Sequence, residues 1–429
     1  MAAAGPWLRR VAAAVPRIPC ALPAFPTPPP VPVLDAPALA LPAHGAAMDL
    51  MAVPKKKVSK YKKGLRNGPK ALKPVPVIVR CRCCGRVKLP HFYCCSGERG
   101  RSRFPSMAQQ PARRVLRVAP PGKGDGEAFP TVQAAVDAVP LGNRARVVIS
   151  LAPGVYREPV YVAKTKNFIT IAGAAPEATV ISWDNTATRI KHSQSSRVIG
   201  TGTFGCGTFI VEGEDFIAEN VTFENSAPQG SGQAVALRVT ADRCAFYNCR
   251  FLGWQDTLYL HYGKQYLRDC YIEGHCDFIF GNSIALMEHC HIHCKAAGYI
   301  TAHSRKSTSE STGYVFLRCI ITGNGEAGYM FLGRPWGPFG RVVFAHTFMD
   351  RCIKPSGWHN WDKSENERTA CFYEYRCSGP GSRSSNRVAW CRQLLDVEAE
   401  QFLSHTFVDP DVDRPWLLQM MSSRIPASA

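Results

Sequence analysis

The chain has 429 residues, 45% of them hydrophobic and 20% charged, so it can bury a large core in one domain or in two to three smaller ones. Residues 1–106 contain 19 Lys and Arg against 3 Asp and Glu, a net of +16, whereas the remainder has 33 against 30, a net of +3. The basicity therefore belongs to the N-terminal quarter, the rest is a nearly neutral globular protein, and no stretch approaches the ~20 apolar residues of a membrane span.

Residues 1–50 form a leader rich in Ala and Pro. Its first 34 residues carry Arg9, Arg10 and Arg17 and contain no acid. No uninterrupted apolar core precedes a small-residue cleavage site, so the leader resembles an organellar transit peptide more than a secretory signal. A disordered leader without a targeting role explains the composition equally well.

Residues 51–97 are basic and rich in cysteine. The stretch "MAVPKKKVSKYKKGLRNGPKALK" (51–73) contains no acid, cannot form a core and suits a phosphate backbone. It is followed by "CRCCGRVKLPHFYCC" (81–95). Together the two stretches resemble the small basic zinc-ribbon protein of bacterial and organellar large ribosomal subunits, and this resemblance implies ribosomal RNA as a partner.

The same segment contains a partial zinc-binding pattern. Cys81-x-x-Cys84-Gly, followed by His-x-x-Cys94, has the half-site spacing of a zinc ribbon. The fourth expected ligand position is occupied by Gly97, so Cys83 or Cys95 would have to substitute. Cys81, Cys84 and Cys94 are therefore candidate zinc ligands, with free thiols as the alternative.

After a linker at 98–109, residues 110–429 form the large domain. Short runs of β-branched, aromatic and Cys residues alternate there with polar residues and are separated by Gly and Asn. No long helical period follows "FPTVQAAVDAVP" (129–140), so the pattern predicts mostly strands.

The large domain contains an internal repeat. Six stretches align without gaps: "FIAENVTFEN", "CAFYNCRFLG", "QYLRDCYIEG", "ALMEHCHIHC", "YVFLRCIITG" and "VVFAHTFMDR". One aligned position holds, in order, Val221, Cys249, Cys270, Cys290, Cys319 and Thr347, at spacings of 28, 21, 20, 29 and 28 residues. Coils of ~20 residues with inserted loops predict an all-β right-handed parallel β-helix, preceded by a basic and largely disordered N-terminal extension.

The repeat predicts an inward-facing ladder of cysteines. Small polarizable side chains fill the narrow core of a solenoid. Neighbouring coils are ~4.8 Å apart, whereas the Cβ atoms of a disulfide lie ~3.8 Å apart, so free thiols are favoured over disulfides or metal chemistry.

Two carboxylates occupy the same place in successive coils. Asp256 lies seven residues after Cys249, and Asp277 lies seven residues after Cys270. At ~4.8 Å and an effective dielectric constant of ~20, two such charges repel by roughly 3–4 kcal/mol, which separates their pKa values. One ionised and one protonated carboxyl would act as a nucleophile or base beside a general acid. An Asp ladder that only caps strand ends is the structural alternative.

Residues 110–429 resemble a plant pectinesterase (pectin methylesterase). The resemblance rests on six motifs in the family's order: "GVYREPV" (154–160), "QAVALRV" (233–239), "GWQDTLY" (253–259), "DFIFGN" (277–282), "LGRPWG" (332–337) and "GWHNW" (357–361). It implies a parallel β-helix, in agreement with the repeat, and hydrolysis of galacturonan methyl esters to pectate and methanol through an aspartyl acyl-enzyme.

The resemblance also implies roles for the residues in these motifs. Asp277 corresponds to the nucleophile, and Asp256 to the acid that protonates departing methanol and then activates water. Gln233 and Gln255 correspond to the amides that stabilise the tetrahedral oxyanion and, for Gln233, bind substrate.

Two further residues carry expected roles. Arg334 would orient Asp277, hold it ionised and contact substrate. Trp336 would offer an apolar face to a sugar ring. Cys276 replaces the family's usual Val before the nucleophile, which we interpret as a change in packing.

The sequence also allows two competing functions. A calcium-dependent pectate lyase would need a carboxylate cluster and a basic proton abstractor, whereas two Asp and two Gln favour acyl transfer. A fused organellar ribosomal protein would use residues 51–97 alone. The resemblance implies no cofactor, no metal in the esterase region, methyl-esterified homogalacturonan as substrate, inhibitor proteins as possible partners, a monomer, and the cell wall as location, although the N-terminus looks organellar.

Overall fold

The computed structural model of the protein describes residues 79–80, 87–88, 114–120, 126–189 and 199–422. The chain divides into two compact units, Met1–Arg101 and Ser102–Ala429. In the first unit, two short strands, β1 (Val79–Arg80) and β2 (Val87–Lys88), pair antiparallel.

Several predictions for the N-terminal region concern residues outside the described ones. These are the leader at 1–50, the Lys-rich stretch at 51–73, the linker at 98–109 and the candidate zinc ligands Cys81, Cys84 and Cys94. They stay predictions, as do the domain boundaries that they define.

The second unit is built mainly of short strands. In chain order they are β3 (Arg114–Val118), β4 (Val147–Leu151), β5 (Gly154–Arg157), β6 (Val160–Val162), β7 (Ile169–Ala172), β8 (Thr179–Trp183), β9 (Phe209–Val211), β10 (Ile217–Glu219), β11 (Thr222–Asn225), β12 (Leu237–Thr240), β13 (Cys244–Tyr247), β14 (Arg250–Leu252), β15 (Leu258–Tyr262), β16 (Lys264–Arg268), β17 (Tyr271–Gly281), β18 (Ile284–Glu288), β19 (His291–His303), β20 (Gly313–Leu317), β21 (Ile320–Gly323), β22 (Met330–Pro335), β23 (Arg341–Ala345), β24 (Phe348–Met349), β25 (Cys371–Tyr375) and β26 (Arg392–Gln393).

Helices are few and short in the described part of this unit. The α-helices are α1 (Val132–Asp137), α2 (Gly202–Gly205), α3 (Asp396–Ala399) and α4 (Trp416–Ser422), and the 3-10 helices are Ser364–Arg368, Pro380–Ser382, Ser384–Asn386, Glu400–Phe402 and His405–Phe407. No helix among the described residues is long and apolar enough to cross a membrane.

The strands form three faces wound around one axis. Face A is an 11-stranded sheet in the order β26-β25-β23-β20-β18-β16-β13-β10-β7-β4-β3. The 13-stranded sheet contributes two faces because its long strands span both: residues 271–272 of β17 pair with β14, and residues 279–281 pair with β15. Face B contains β5, β8, β11, β14, β21, β24 and the first halves of β17 and β19; face C contains β6, β9, β12, β15, β22 and the second halves.

The strand pairing identifies the architecture. Every strand pair among the described residues of the second unit is parallel, and neighbours on a face belong to successive coils, as in β16, β18 and β20. The predicted parallel β-helix is therefore confirmed. Each coil visits face A, then face B, then face C.

A single residue turns the chain from face A to face B. In four successive coils this residue is Asn248, Asp269, His289 or Arg318, with positive φ values of 49°, 55°, 53° and 54°. The next residue then points into the core. These core residues are Cys249, Cys270, Cys290 and Cys319, each 1% exposed and free of disulfide bonds. The cysteine ladder is where the repeat predicted it.

The ladder side chains bond to the backbone that surrounds them. The Cys270 thiol donates to the Arg268 and Phe246 carbonyl oxygens at 3.4 and 3.6 Å. The Thr347 hydroxyl, further along the same row, donates to the equivalent carbonyl oxygens at 3.3 and 3.2 Å. The row therefore fills the narrow core and satisfies carbonyl groups that the tight turn leaves in an apolar interior.

Other segments cover one end of the solenoid and the outside of face A. Helix α1 begins after Thr131, whose hydroxyl accepts a hydrogen bond from the Ala134 N–H at 3.1 Å, and it packs against the main core. After β26 the chain folds back, and Phe402 and Trp416 pack with outward side chains of face A. The predicted site residues lie on face C and at its border with face B.

Candidate active site

Asp256 and Asp277 occupy the single-residue turn between face B and face C in two successive coils. Their φ values are 63° and 47°, in the left-handed region that Asp enters more readily than most residues. The Asp256 N–H donates to the Cys276 carbonyl oxygen at 3.0 Å, so the two turns lie side by side, as the seven-residue spacing predicted. The two residues are only 8% and 7% exposed.

Arg334 holds the Asp277 carboxylate at two points. Its Nε donates to Oδ1 at 2.9 Å and its Nη2 to Oδ2 at 2.6 Å. Arg334 pairs in register with Ala302 of β19, and Ala302 pairs with Phe280 of the Asp277 strand. The intervening side chain is a single methyl group, which leaves space for the arginine to reach two coils back.

Two aromatic rings enclose the Arg334 guanidinium. Its central carbon lies 3.9 Å from the centre of the Tyr299 ring and 3.7 Å from that of Trp361. Trp361 has a φ of 63°, and its N–H donates to Nδ1 of His359 at 3.0 Å, which fixes the turn that delivers the indole. The two rings restrict the position of the guanidinium, shield it partly from water and keep it directed at Asp277.

The environments of the two carboxyl groups differ. Burial raises the pKa of Asp256 well above its usual value, and the charge of Asp277 raises it further, against a weaker opposing effect of Arg334. Burial also raises the pKa of Asp277, but the hydrogen bonds and the charge of Arg334 oppose that rise. Asp277 is therefore the first of the pair to ionise, and Asp256 keeps its proton to higher pH.

Gln233 and Gln255 form a row beside the carboxyl pair. The Ala234 N–H donates to the Gln255 carbonyl oxygen at 3.1 Å, and Gln255 bridges to Cys276, so the three residues 233, 255 and 276 lie on adjacent coils. Both glutamine side chains are half-buried. Neither amide hydrogen-bonds to another described residue, so both have donors available for a ligand.

Trp336 supplies an exposed ring near the arginine. It is 47% exposed, and its ring centre lies 6.0 Å from that of Phe280, which stacks on Tyr259 at 4.2 Å. The structure thus gathers the six residues that the motifs predicted, Asp256, Asp277, Gln233, Gln255, Arg334 and Trp336, on and beside face C.

Sequence reasoning did not identify the two rings that hold Arg334. Trp361 lies in a motif that served only to identify the family, so a signal was present. Tyr299 lies in an ordinary strand and carried no signal. Cys276 is half-buried, burial raises its pKa to about 12, and its sulfur accepts a hydrogen bond from Arg334 Nη2 at 3.8 Å. Among the described residues, no three His, Cys, Asp or Glu side chains are grouped to hold a metal ion.

Fold and site together are those of a solenoid enzyme. Its exposed aromatic face is of the kind that packs on sugar rings, and its two carboxyl groups, which differ in protonation, can perform acid–base chemistry. The family model described as Pectinesterase matches residues 116–411. The chain belongs to the pectinesterase family and is a carboxylic ester hydrolase. A second family model, the Ribosomal L32p protein family, matches residues 52–103 and supports the ribosomal-like segment.

Individual relatives agree with the family assignment. Pectinesterase 31 of Arabidopsis thaliana is 71% identical over 316 residues, which are 74% of this chain and 99% of that protein. A pectin methylesterase from carrot superposes with a TM-score of 0.63 at 33% identity and covers 68% of this chain and 92% of its own. A pectin methylesterase in complex with a hexasaccharide superposes with a TM-score of 0.61 at 26% identity, covering 71% and 99%.

Proposed function

We propose that Asp277 is the nucleophile and Asp256 the acid–base residue with which this pectinesterase hydrolyses methyl esters of homogalacturonan. The observation that carries the proposal is the two-point ion pair from Arg334 to Asp277. It favours the ionised form of one carboxyl and fixes its orientation, while Asp256 makes no ion pair with a described residue.

The first half of the reaction forms a covalent intermediate. An Asp277 oxygen adds to the ester carbonyl carbon and gives a tetrahedral adduct. Protonated Asp256 then transfers its proton to the methoxy oxygen, the bond from the carbonyl carbon to that oxygen breaks, and methanol leaves. The galacturonosyl carboxyl group remains joined to Asp277 as a mixed anhydride, and Asp256 is now ionised.

The second half returns the enzyme to its starting state. Asp256, now a carboxylate, takes a proton from a water molecule as the water oxygen adds to the galacturonosyl carbonyl carbon. Collapse of this second adduct releases the Asp277 carboxylate and a free carboxylic acid on the polymer, which then loses its proton to solvent as galacturonate. Arg334 stabilises the departing Asp277 charge, so the same ion pair assists both steps.

Gln233 and Gln255 are proposed to stabilise the oxyanion of both adducts. Their position supports the role, since Gln255 directly precedes Asp256 and Gln233 occupies the same row one coil earlier. Their amides are not engaged by other described residues, so little reorganisation is needed when negative charge develops. Loss of such a donor typically costs about 10²–10³-fold in turnover.

Trp336 is proposed to bind a sugar ring of the polymer. Its exposed indole lies beside Phe280 and two residues after Arg334, so a ring packed on it would lie next to the reacting ester. Arg334 and Gln233 are proposed to contact the same sugar through polar groups.

Pectate lysis is less well supported than ester hydrolysis. A lyase needs a base that removes a ring proton, and the arginine nearest the acid pair is instead bound at two points to Asp277. The solved neighbours named above are esterases.

We also propose a substrate, a location and partners for this pectinesterase. Methyl-esterified homogalacturonan is the proposed substrate, the cell wall the proposed location, and the monomer the proposed state, with inhibitor proteins as candidate partners. The match of residues 52–103 to a ribosomal protein family supports ribosomal RNA binding by the first unit as a separate second function.

Replacing Asp277 by Asn tests the assignment. We expect Asp277→Asn to lower methanol release from esterified pectin by about 10³-fold or more, because an amide cannot form the anhydride. The matched control is Asp269→Asn, since Asp269 also has a positive φ, of 55°, but lies at the border of face A with face B. If Asp277→Asn keeps more than a tenth of wild-type turnover while Asp269→Asn behaves like wild type, Asp277 is not the nucleophile.

A further inference from the structure

A groove of about 670 Å³ runs along the border between face C and face A, away from the acid pair. One wall is formed by residues at the start of successive face A strands, including Lys264 and Arg341, and the other by Gln401 and Phe407 of the C-terminal segment. Asn282, which also lines it, is five residues after Asp277, about 16 Å along an extended strand. The volume is in the range of ligand-binding sites.

The positive charges in the groove are not fully balanced. Lys264 is matched by Asp242, with Nζ and Oδ2 3.0 Å apart. Arg341 forms no ion pair with a described carboxylate; its Nε donates to the Thr312 carbonyl oxygen at 2.8 Å and its Nη2 to the Ser311 carbonyl oxygen. Its Nη1 donates to no described acceptor and so has hydrogen-bonding capacity left for a ligand.

A second unmatched guanidinium lies behind Arg341. Arg305 is 6% exposed and bonds to the carbonyl oxygens of Glu310 and Thr308 and to the Cys371 sulfur, but to no described carboxylate. The Glu310 carboxylate accepts a hydrogen bond from Asn282 instead. Burial and the charge of Arg305 lower the pKa of Arg341 to about 10. Buried charges are ordinarily paired, so an anion entering the groove would be bound favourably.

The remaining lining suits a sugar. Tyr262 is 63% exposed and offers an aromatic face at the groove. The Phe407 ring lies 5.7 Å from the Arg341 guanidinium and forms an apolar patch beside the charge. Asn282, Gln401 and Thr406 add amide and hydroxyl groups that can exchange hydrogen bonds with sugar hydroxyls.

We propose that this groove is a second carbohydrate-binding site, which takes de-esterified galacturonan, the product of the enzyme's own reaction. Arg341 binds the carboxylate of one galacturonate, and Tyr262 packs against a sugar ring. A methyl-esterified chain carries no such charge and cannot neutralise Arg341, so the site distinguishes product from substrate. Occupation of the groove keeps the enzyme on polymer that it has already processed.

The test uses the full chain with the Asp277→Asn substitution, saturated with fully methyl-esterified hexagalacturonate to occupy the face C site. A fluorescent de-esterified trigalacturonate is then titrated in, and methanol is monitored in the same tube. We expect one further binding site per protein. Tyr262→Ala and Arg341→Gln should each lower its affinity about tenfold, the scale of one charge-assisted or stacking contact. Arg318→Gln, at the far border of face A, is the matched control and should change nothing.

Four results of this titration have different meanings for the groove. Absence of trigalacturonate binding once the face C site is filled overturns the proposal, as does unchanged affinity in both Tyr262→Ala and Arg341→Gln. Equal binding of a polyglutamate probe overturns the sugar specificity and leaves a general anion site. Because Tyr262 is exposed, its substitution remains informative even if Arg341→Gln folds poorly. Methanol release in the titration would instead contradict the role of Asp277 and not the groove.

Discussion

Two borders of the same solenoid use one backbone device for different purposes. Between face A and face B, a left-handed residue such as Asp269 is followed by an inward thiol such as Cys270. Between face B and face C, the left-handed residues are themselves Asp256 and Asp277. The thiols donate to carbonyl oxygens of their own and the preceding coil, whereas Asp277 is bound by an arginine 57 positions away.

The comparison shows that the left-handed turn by itself specifies no function. Both borders have a backbone cost of about 1–2 kcal/mol for each such residue. At the first border the adjacent side chain recovers stability by packing and bonding inside the core. At the second border, the turn instead places two carboxyl groups side by side. Arg334 binds only that of Asp277, so the pKa of Asp256 is raised more than the pKa of Asp277.

Apart from loss of the proposed nucleophile Asp277, the largest expected effect comes from removing the proposed acid at the second border. Asp256→Asn should lower methanol release by about 10²–10⁴-fold, because the amide can neither protonate methanol nor activate water. Binding of an esterified oligosaccharide should persist, since the shape of the site is kept. Steady-state methanol assays and a binding titration check this, with Asp269→Asn as control. Turnover within tenfold of wild type would show that Asp256 has no acid–base role.

The next effect concerns the ion pair. In the wild type, activity should rise with pH as Asp277 ionises and fall again as Asp256 loses its proton. Arg334→Gln should reduce turnover by about 10²-fold and move the acidic limb to higher pH, because the hydrogen bonds that oppose the rise in the Asp277 pKa are lost. The measurement is a pH–rate profile of the wild type and of Arg334→Gln, with Arg318→Gln as the control variant. An acidic limb that does not move would mean that Arg334 does not set the ionisation of Asp277.

A smaller effect is expected at the first border, and on stability only. Cys270→Ala should lower the free energy of unfolding by about 1–3 kcal/mol, since it leaves a void and removes a hydrogen bond. Cys270→Thr should cost less, because Thr347 makes the same bonds in the same row. Denaturant titration gives both values, and methanol release should be unchanged. Equal costs for Ala and Thr would argue against the bonding role of the row.

The smallest effect is expected from removing the first unit. Residues 107–429 alone should match the full chain within about twofold in turnover and show the same thermal midpoint, because chain contacts divide the protein near residue 101 and the family match begins at residue 116. Expression of both forms and a comparison on soluble pectin decide this. If the truncated chain fails to fold or loses most of its activity, the esterase depends on the first unit and the prediction is wrong.

Much of the second unit could be read from its sequence. The aligned repeat predicted the coils, the thiol row and the side-by-side acids, since a solenoid converts sequence spacing directly into position. The helical period at 129–140 corresponds to the short helix α1, which begins after the Thr131 cap. The C-terminal segment with α3 and α4 was not anticipated, because it covers face A through scattered contacts without a repeat.

The sequence by itself determined the parallel β-helix, the family and the set of polar groups gathered on and beside face C, because each of these depends on local pattern and regular spacing. Only the tertiary structure decided how burial adds to the difference between the two carboxyl groups, which rings enclose Arg334, and that Arg341 faces a groove without a partner among the described carboxylates. These properties depend on burial and on the paths of loops inserted between coils. No regular spacing governs them, since side chains far apart in the chain meet only once the coils are stacked.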